Sequence, residues 1–193
     1  MNSMPATIKL TDADFFARHS VTVARDLLGK YLLTASGGGQ IIETEAYRQQ
    51  DDPACHAYHG RRTRRNQSMY LPPGHLYVYQ IHQVFCLNLS TEAEDLGCAV
   101  LIRALLPSED LEAMLARRPV KQLSHLSNGP GKLCQALGID RSWDAEPLGQ
   151  RLWLADRGLQ YAPSEILAGP RVGISQGQEL PWRFRVLSPA RHS

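Results

Sequence analysis

Between Gln40 and Tyr47 an apolar segment carries two carboxylates, Glu43 and Glu45, and ends on an aromatic ring. In a strand, alternate side chains share a face. Ile41, Glu43, Glu45 and Tyr47 are therefore expected on one side, with Ile42, Thr44 and Ala46 on the other. A carboxylate beside a ring suits hydrolysis of a bond to a flat base: the acid takes a proton from water while the ring stacks on the leaving group. The alternative is a strand whose acids face solvent, and Glu43 is read that way. Glu45, next to Tyr47, is the candidate base. Tyr77 and Tyr79 share a face in the run from Leu76 to Tyr79, either as rings that hold a base or as half-buried packing. Asn88 and Arg103 interrupt the apolar runs Phe85–Leu89 and Val100–Leu105. A buried amide needs hydrogen-bond partners, and a buried guanidinium needs an anion, whether a structural carboxylate or a phosphate.

The net charge of +2 hides an uneven distribution. Of 21 basic residues, 17 are arginine, the side chain whose planar fork matches phosphate oxygens. Arg61, Arg62, Arg64 and Arg65 surround Thr63, while acids collect at Glu92, Glu94 and Asp95 and at Glu109, Asp110 and Glu112. The basic cluster reads either as a polyanion contact or as a solvated loop. Ser127–Lys132 opens a helix whose free N–H groups, with Lys132 nearby, make a plausible phosphate seat. It is not a Walker A loop: Leu126 stands where the first glycine belongs and Leu133 where Ser or Thr must hold magnesium. Cys55, His56 and His59 lie close together, but without a spaced second pair no metal site is expected. The four cysteines show no CxxC pairing and are read as reduced thiols.

These residues need positioning elements. Val21, Ala24, Leu27 and Leu28 recur at helical spacing, with Ser20 as N-cap and Gly29 as stop. Lys30–Thr34 and Gln40–Tyr47 read as strands around a turn at Ser36–Gly39. Arg48–Met69 lacks periodicity and forms a long loop, functional or disordered. Leu76–Gln80, Val84–Leu89 and Cys98–Leu105 are strands whose close spacing favours antiparallel neighbours. Helices are expected at Leu111–Arg117 and from Pro130 to a stop at Gly138, then short strands and turns from Leu152. At 193 residues, with 43% hydrophobic content and no repeat or linker, the chain is expected to be one α+β domain over residues 1–193 on a largely antiparallel sheet. No apolar run approaches the ~20 residues of a membrane span, and no secretory signal is visible. The expectation is a soluble protein, cytoplasmic and nucleoid-associated if bacterial, and monomeric.

Taken in order, the segments resemble the 3-methyladenine DNA glycosylases of the alkyladenine (AAG/MPG) type. The resemblance rests on Ala24–Lys30, Glu43–Tyr47, Arg62–Asn66 with Met69, Gly74–Tyr79, Cys86–Asn88, Leu101–Leu105, Gly129–Leu137, Gly169–Gly173 and Pro181–Phe184. Each motif is weak alone, but so many in family order across nearly the whole chain are specific. The resemblance implies a curved, largely antiparallel sheet flanked by helices, as in formyltransferase C-terminal domains. It also implies a cofactor-free, metal-free enzyme of base excision that acts on double-stranded DNA carrying a damaged purine of the 3-methyladenine, 7-methylguanine, hypoxanthine or ethenoadenine class. By carry-over, Glu45 activates water and Arg103 lies beside that water. Tyr47 and Tyr79 sandwich the flipped base with His56, whose backbone N–H reads its edge. Asn88 crowds the 2-amino group of guanine, and a backbone carbonyl near Val172 completes the water site. Thr63, Arg65, Asn66 and Lys132 hold phosphates.

The chain departs from that pattern at the hairpin that fills the gap left by the flipped base. Tyr79–Cys86 places His82 where family members carry tyrosine, with no glycine after it and one residue fewer. An imidazole buries less area than a phenol ring, which predicts weaker flipping. The stretch after Arg185 is short and off-pattern. Two rival readings are a nucleic-acid-binding module without catalysis, which would need no buried acid, and a hydrolase of free nucleosides, on which an arginine cluster would be wasted.

Overall fold

In the computed structural model, which describes residues 8, 9 and 12–189, nine strands join in one sheet. They are β1 (Ile8–Lys9), β2 (Tyr31–Thr34), β3 (Gly37–Tyr47), β4 (Leu76–Ile81), β5 (Val84–Ser90), β6 (Ala99–Glu109), β7 (Leu152–Asp156), β8 (Ile166–Gly169) and β9 (Arg183–Val186). The order is β1-β7-β2-β3-β6-β5-β4, with β9 also on β3 and β8 on β9, and all described pairings are antiparallel. The helices are α1 (Ala13–Phe16), α2 (Ser20–Asp26), α3 (Leu111–Arg117) and α4 (Pro130–Leu137). This is the α+β architecture expected.

Alternation sorts the central strands into two faces. Leu76 and Val78 of β4, Leu87 and Leu89 of β5, Val100 and Ile102 of β6 and Ala46 of β3 enter the main core, where Val23 and Ala24 of α2 and Leu133 and Leu137 of α4 cover them. Each leucine buried there contributes roughly 1.5–3 kcal/mol. α4 begins with Pro130 at its first turn and stops at Gly138, whose φ of 68° suits the left-handed C-cap. The opposite face carries Tyr77, Ala99 and their neighbours, packed under Cys55, Ala57, Met69 and Tyr70. The long segment after β3 is thus an ordered flap with its own apolar underside.

Three local expectations are corrected. The glycine run is strand rather than turn, because Gly39 sits where a Cβ would lie 2.3 Å from the Leu106 carbonyl oxygen of β6. Only the backbone fits at that strand approach. Ser20 begins α2 instead of capping it: His19 caps, its Nδ1 accepting from the Val21 N–H at 3.3 Å, while the Ser20 hydroxyl bonds Glu92 and Thr91. Simple alternation fails at Ile41, which is fully buried in the main core. The β3–β6 register shifts between Ile41 and Glu43 and again between Glu43 and Thr44, so that neither Ile42 nor Arg103 faces a partner residue. Such bulges re-aim side chains next to functional sites.

Candidate active site

The doubly bulged stretch of β3 and β6 builds the charged floor of a cavity of about 460 Å³. Glu45 is completely buried, and the three groups that contact its carboxylate, Tyr47, Arg103 and Val172, all line the cavity. Oε1 accepts the Val172 N–H at 2.8 Å and lies 3.3 Å from Nη1 of Arg103. Oε2 accepts the Tyr47 hydroxyl at 2.8 Å. The acid therefore sits one layer behind the cavity wall, reached past Tyr47, Arg103 and Val172. Burial, then the adjacent carboxylate, pushes the Tyr47 phenol far above its ordinary pKa, so it remains a donor.

Arg103 owes its aim to a second acid. Its Nε donates to Glu43 Oε1 at 2.8 Å, and Arg183 Nε of β9 donates to the same oxygen at 2.7 Å. Burial works against the charge on Glu43, yet the hydrogen bonds from Arg103 and Arg183 outweigh it and hold the carboxyl below the usual carboxylate range. Glu43 was expected to face solvent; its side chain is only 13% exposed and anchors two arginines. The ion pair expected of a buried guanidinium is therefore made with Glu43, and the same side chain lines the cavity and reaches Glu45.

Aromatic walls rise from this floor. Tyr47, Tyr77, Tyr79 and His56 all line the cavity. Tyr77 and Tyr79 stack obliquely with centroids 5.3 Å apart, and His56 meets Tyr79 edge-on at 4.8 Å. His56 Nδ1 and the buried Tyr77 hydroxyl are hydrogen-bonded at 2.8 Å. Burial, reinforced by Arg65 and Arg61, lowers the His56 pKa to about 4, leaving a neutral imidazole at pH 7. The buried Asn88 also lines the cavity, its Nδ2 donating to the Tyr77 carbonyl at 2.9 Å.

The remaining predicted residues stand outside this cluster. Thr63 and Asn66 organise the flap: Thr63 donates to Asn66 Oδ1 through its N–H at 2.7 Å and its hydroxyl at 3.0 Å. Asn66 Nδ2 donates to the carbonyls of His56 and Arg61 at 2.9 and 2.8 Å. Asn66 is buried and its carboxamide is engaged at both ends within the flap. Arg65 is exposed, its guanidinium 4.9 Å from the centre of the Tyr79 ring. Lys132 lies exposed on the first turn of α4, donating to Asn128 Oδ1 at 2.8 Å beside Pro130 of the cavity rim. His82 is exposed at the tight β4–β5 turn with φ 52°, between the exposed side chains of Ile81 and Val84. Cys55, His56 and His59 do not make a ligand set; among the described residues no three His, Cys, Asp or Glu side chains are grouped for a metal ion. All four cysteines are free and buried. Among those residues, too, no helix is long and apolar enough to cross a membrane.

Tyr77, read from sequence as either a base-holding ring or half-buried packing, is buried, bonded to His56 and part of the cavity wall. Sequence reasoning missed the part played by Glu43 and Arg171. Nothing local to Arg171 signals its partner Asp52, 119 residues away.

The family model described as methylpurine-DNA glycosylase (MPG) matches residues 14–189. A Rhizobium etli protein named "Putative 3-methyladenine DNA glycosylase" is 46% identical over 178 residues, covering 89% of this chain and 83% of its own. Proteins of the same name from Rhodopseudomonas palustris and Granulibacter bethesdensis are each 45% identical, covering 94% and 95% of this chain and 90% and 87% of theirs. With its matched segments spanning floor, walls and flap alike, this chain belongs to the methylpurine-DNA glycosylase family and is a DNA glycosylase.

Proposed function

We propose that the protein turns an alkylated or deaminated purine out of duplex DNA into this cavity and hydrolyses its N-glycosidic bond with a water activated by Glu45. The observation that carries the reading is a fully buried carboxylate joined to three groups of an aromatic-walled cavity. Breaking the bond leaves an oxocarbenium-like sugar, so a carboxylate helps both by its charge and by taking a proton from water. Arg103 steadies the carboxylate and the water beside it. Tyr47 moves its hydroxyl off Oε2 to admit that water, and a backbone carbonyl near Val172 completes the water's hydrogen bonds.

Tyr47 and Tyr79 grip the flipped base, and His56 presents its backbone N–H to the base edge. Stacking contributes about 1–3 kcal/mol per base against a flipping cost of a few kcal/mol. A cationic alkylated purine is the better guest for electron-rich rings. Asn88, held on the Tyr77 carbonyl, disfavours the 2-amino group of undamaged guanine. Arg65 and Lys132 contact phosphates, while Thr63 and Asn66 hold the flap in the shape that allows it. His82, with Ile81 and Val84 beside it, fills the gap in the duplex; apolar wedges are used this way in other DNA-bending proteins.

The test is a duplex carrying hypoxanthine or a methylated purine, treated with alkali after incubation to cleave abasic sites. Strand breaks absent from a Glu45→Gln control are expected. Binding without breaks would instead indicate a module that only holds DNA, and equal release from free nucleosides would indicate a nucleosidase.

A further inference from the structure

Behind the cavity, and outside its lining, lies the most completely buried ion pair of the described structure. The side chains of Arg171 and Asp52 are both 0% exposed and meet through two bonds, Nη1–Oδ2 at 2.5 Å and Nη2–Oδ1 at 2.6 Å. The same guanidinium reaches four further residues. Nη1 donates to the Ala46 carbonyl near the end of β3 at 2.9 Å, and Nη2 to the Gly177 carbonyl at 3.4 Å. Its carbon lies 4.6 Å from the centre of the Tyr47 ring and 5.4 Å from that of Trp182. Asp52 in turn accepts the N–H groups of Arg48 and Ala54 in the flap.

Geometry makes this more than a fold-holding contact. Arg171 immediately precedes Val172, whose N–H binds Glu45, and Val172–Gln176 form one wall of the cavity. Bonding Gly177 back to Arg171 closes that wall into a loop. Asp52 precedes Pro53, Ala54 and His56, which form another part of the cavity wall. Ala46 lies between the base and the stacking ring. Gly177 has φ 65°, and a Cβ there would lie 3.0 Å from Arg171 Nη2 and 3.3 Å from Asp52 Oδ1, so the loop folds directly onto the pair.

We infer that Arg171, clamped by Asp52 and Gly177, is a positioning residue for excision: it sets the two cavity walls, the Tyr47 ring and the Val172 N–H in mutual register. The inference rests on the reading of the cavity as the base pocket. A lysine at 171 keeps the charge but cannot form two parallel bonds to Asp52 while also holding two carbonyls. Misplacement by about 1 Å costs on the order of 10²-fold in rate.

Arg171→Lys and Gly177→Ala test it, the second crowding the clamp from the loop side without removing any charge. The readouts are the single-turnover excision rate from a hypoxanthine duplex at saturating protein, and the Kd for the same duplex. The expected result is a rate lowered about 10²-fold in Arg171→Lys and about 10-fold in Gly177→Ala, with Kd within about threefold of the parent. A structural role alone leaves the rate of the folded protein unmoved. Parent-like rates in Gly177→Ala, or a Kd that weakens in step with the rate, overturn the inference. Glu45→Gln runs alongside: a parent protein no faster than that control defeats the base-pocket reading itself, whereas a fast parent with fast clamp variants defeats only the inference.

Discussion

Replacing Glu45 by glutamine removes a proton acceptor while sparing the shape around it. The amide oxygen can keep the Val172 N–H and the approach of Arg103, now held at 2.8 Å and 3.3 Å, and the amide nitrogen then meets the Tyr47 oxygen, which turns from donor to acceptor. Arg103 keeps its 2.8 Å bond to Glu43, so no guanidinium is left unpaired. The lost charge-assisted bonds amount to roughly 1.5–3 kcal/mol, offset in part because a neutral amide is easier to bury than a carboxylate. Stability should therefore move by no more than about 2 kcal/mol. The chemical step loses more: general-base action supplies about 10²–10⁴-fold, equivalent to roughly 3–5 kcal/mol of barrier. The assay is single-turnover release from a lesion duplex at saturating protein, with DNA binding followed by fluorescence anisotropy and folding by thermal melts. A glutamine variant that excises within about tenfold of the parent would show that the proton goes elsewhere. A rate loss matched by an equal loss of affinity would place the acid in binding and refute the assignment.

Three other outcomes are expected. His56 has a folded pKa of about 4 against 6.5 unfolded, so the unfolded chain takes up the proton first as pH falls. Its contribution is intact above pH 6.5 and is lost progressively down to about pH 4, by roughly 3 kcal/mol; urea melts over that range should show the loss, and a His56→Gln protein should lack it. Lys132→Gln and Arg65→Gln should each reduce the slope of log K against log salt by about 0.9, and a slope unchanged by both would remove those side chains from the phosphate interface. His82→Tyr, which enlarges the tip of the hairpin, should tighten lesion-duplex binding and speed single-turnover excision; no change in either would mean that residue 82 does not fill the gap.

The elements that carry the site were legible because their signals are local. Alternation placed Tyr77 and Tyr79 together and Glu45 beside Tyr47, and Pro130 and Gly138 bracketed α4. What escaped depends on residues far apart in the chain. The bulges at Ile42 and Arg103 arise from how β3 meets β6 and leave no mark in either strand alone, so Ile41 was assigned the wrong face. Glu43 was read as solvent-facing because a strand pattern says which side a residue takes, not what covers that side; Arg183, 140 residues on, supplies the cover. The clamp of Arg171 on Asp52 is hidden for the same reason. The flap's polar composition suggested a loop, but its order comes from apolar residues, Cys55, Ala57 and Met69, spaced too irregularly to form a period, and from the hydrogen bonds of Asn66 and Asp52.

The burial of every cysteine has a chemical corollary. Thiolates, not thiols, are the nucleophiles that electrophiles capture. Burial pushes Cys55 and Cys98 up to about 12, which at pH 7 leaves roughly one molecule in 10⁵ deprotonated at either position. Cys86 and Cys134 are shifted in the same direction by burial. Reagents that methylate a purine ring also attack sulfur. A protein that must work while such reagents are present gains from having its own sulfur atoms protonated and, Cys86 at the cavity wall apart, sealed inside and out of reach.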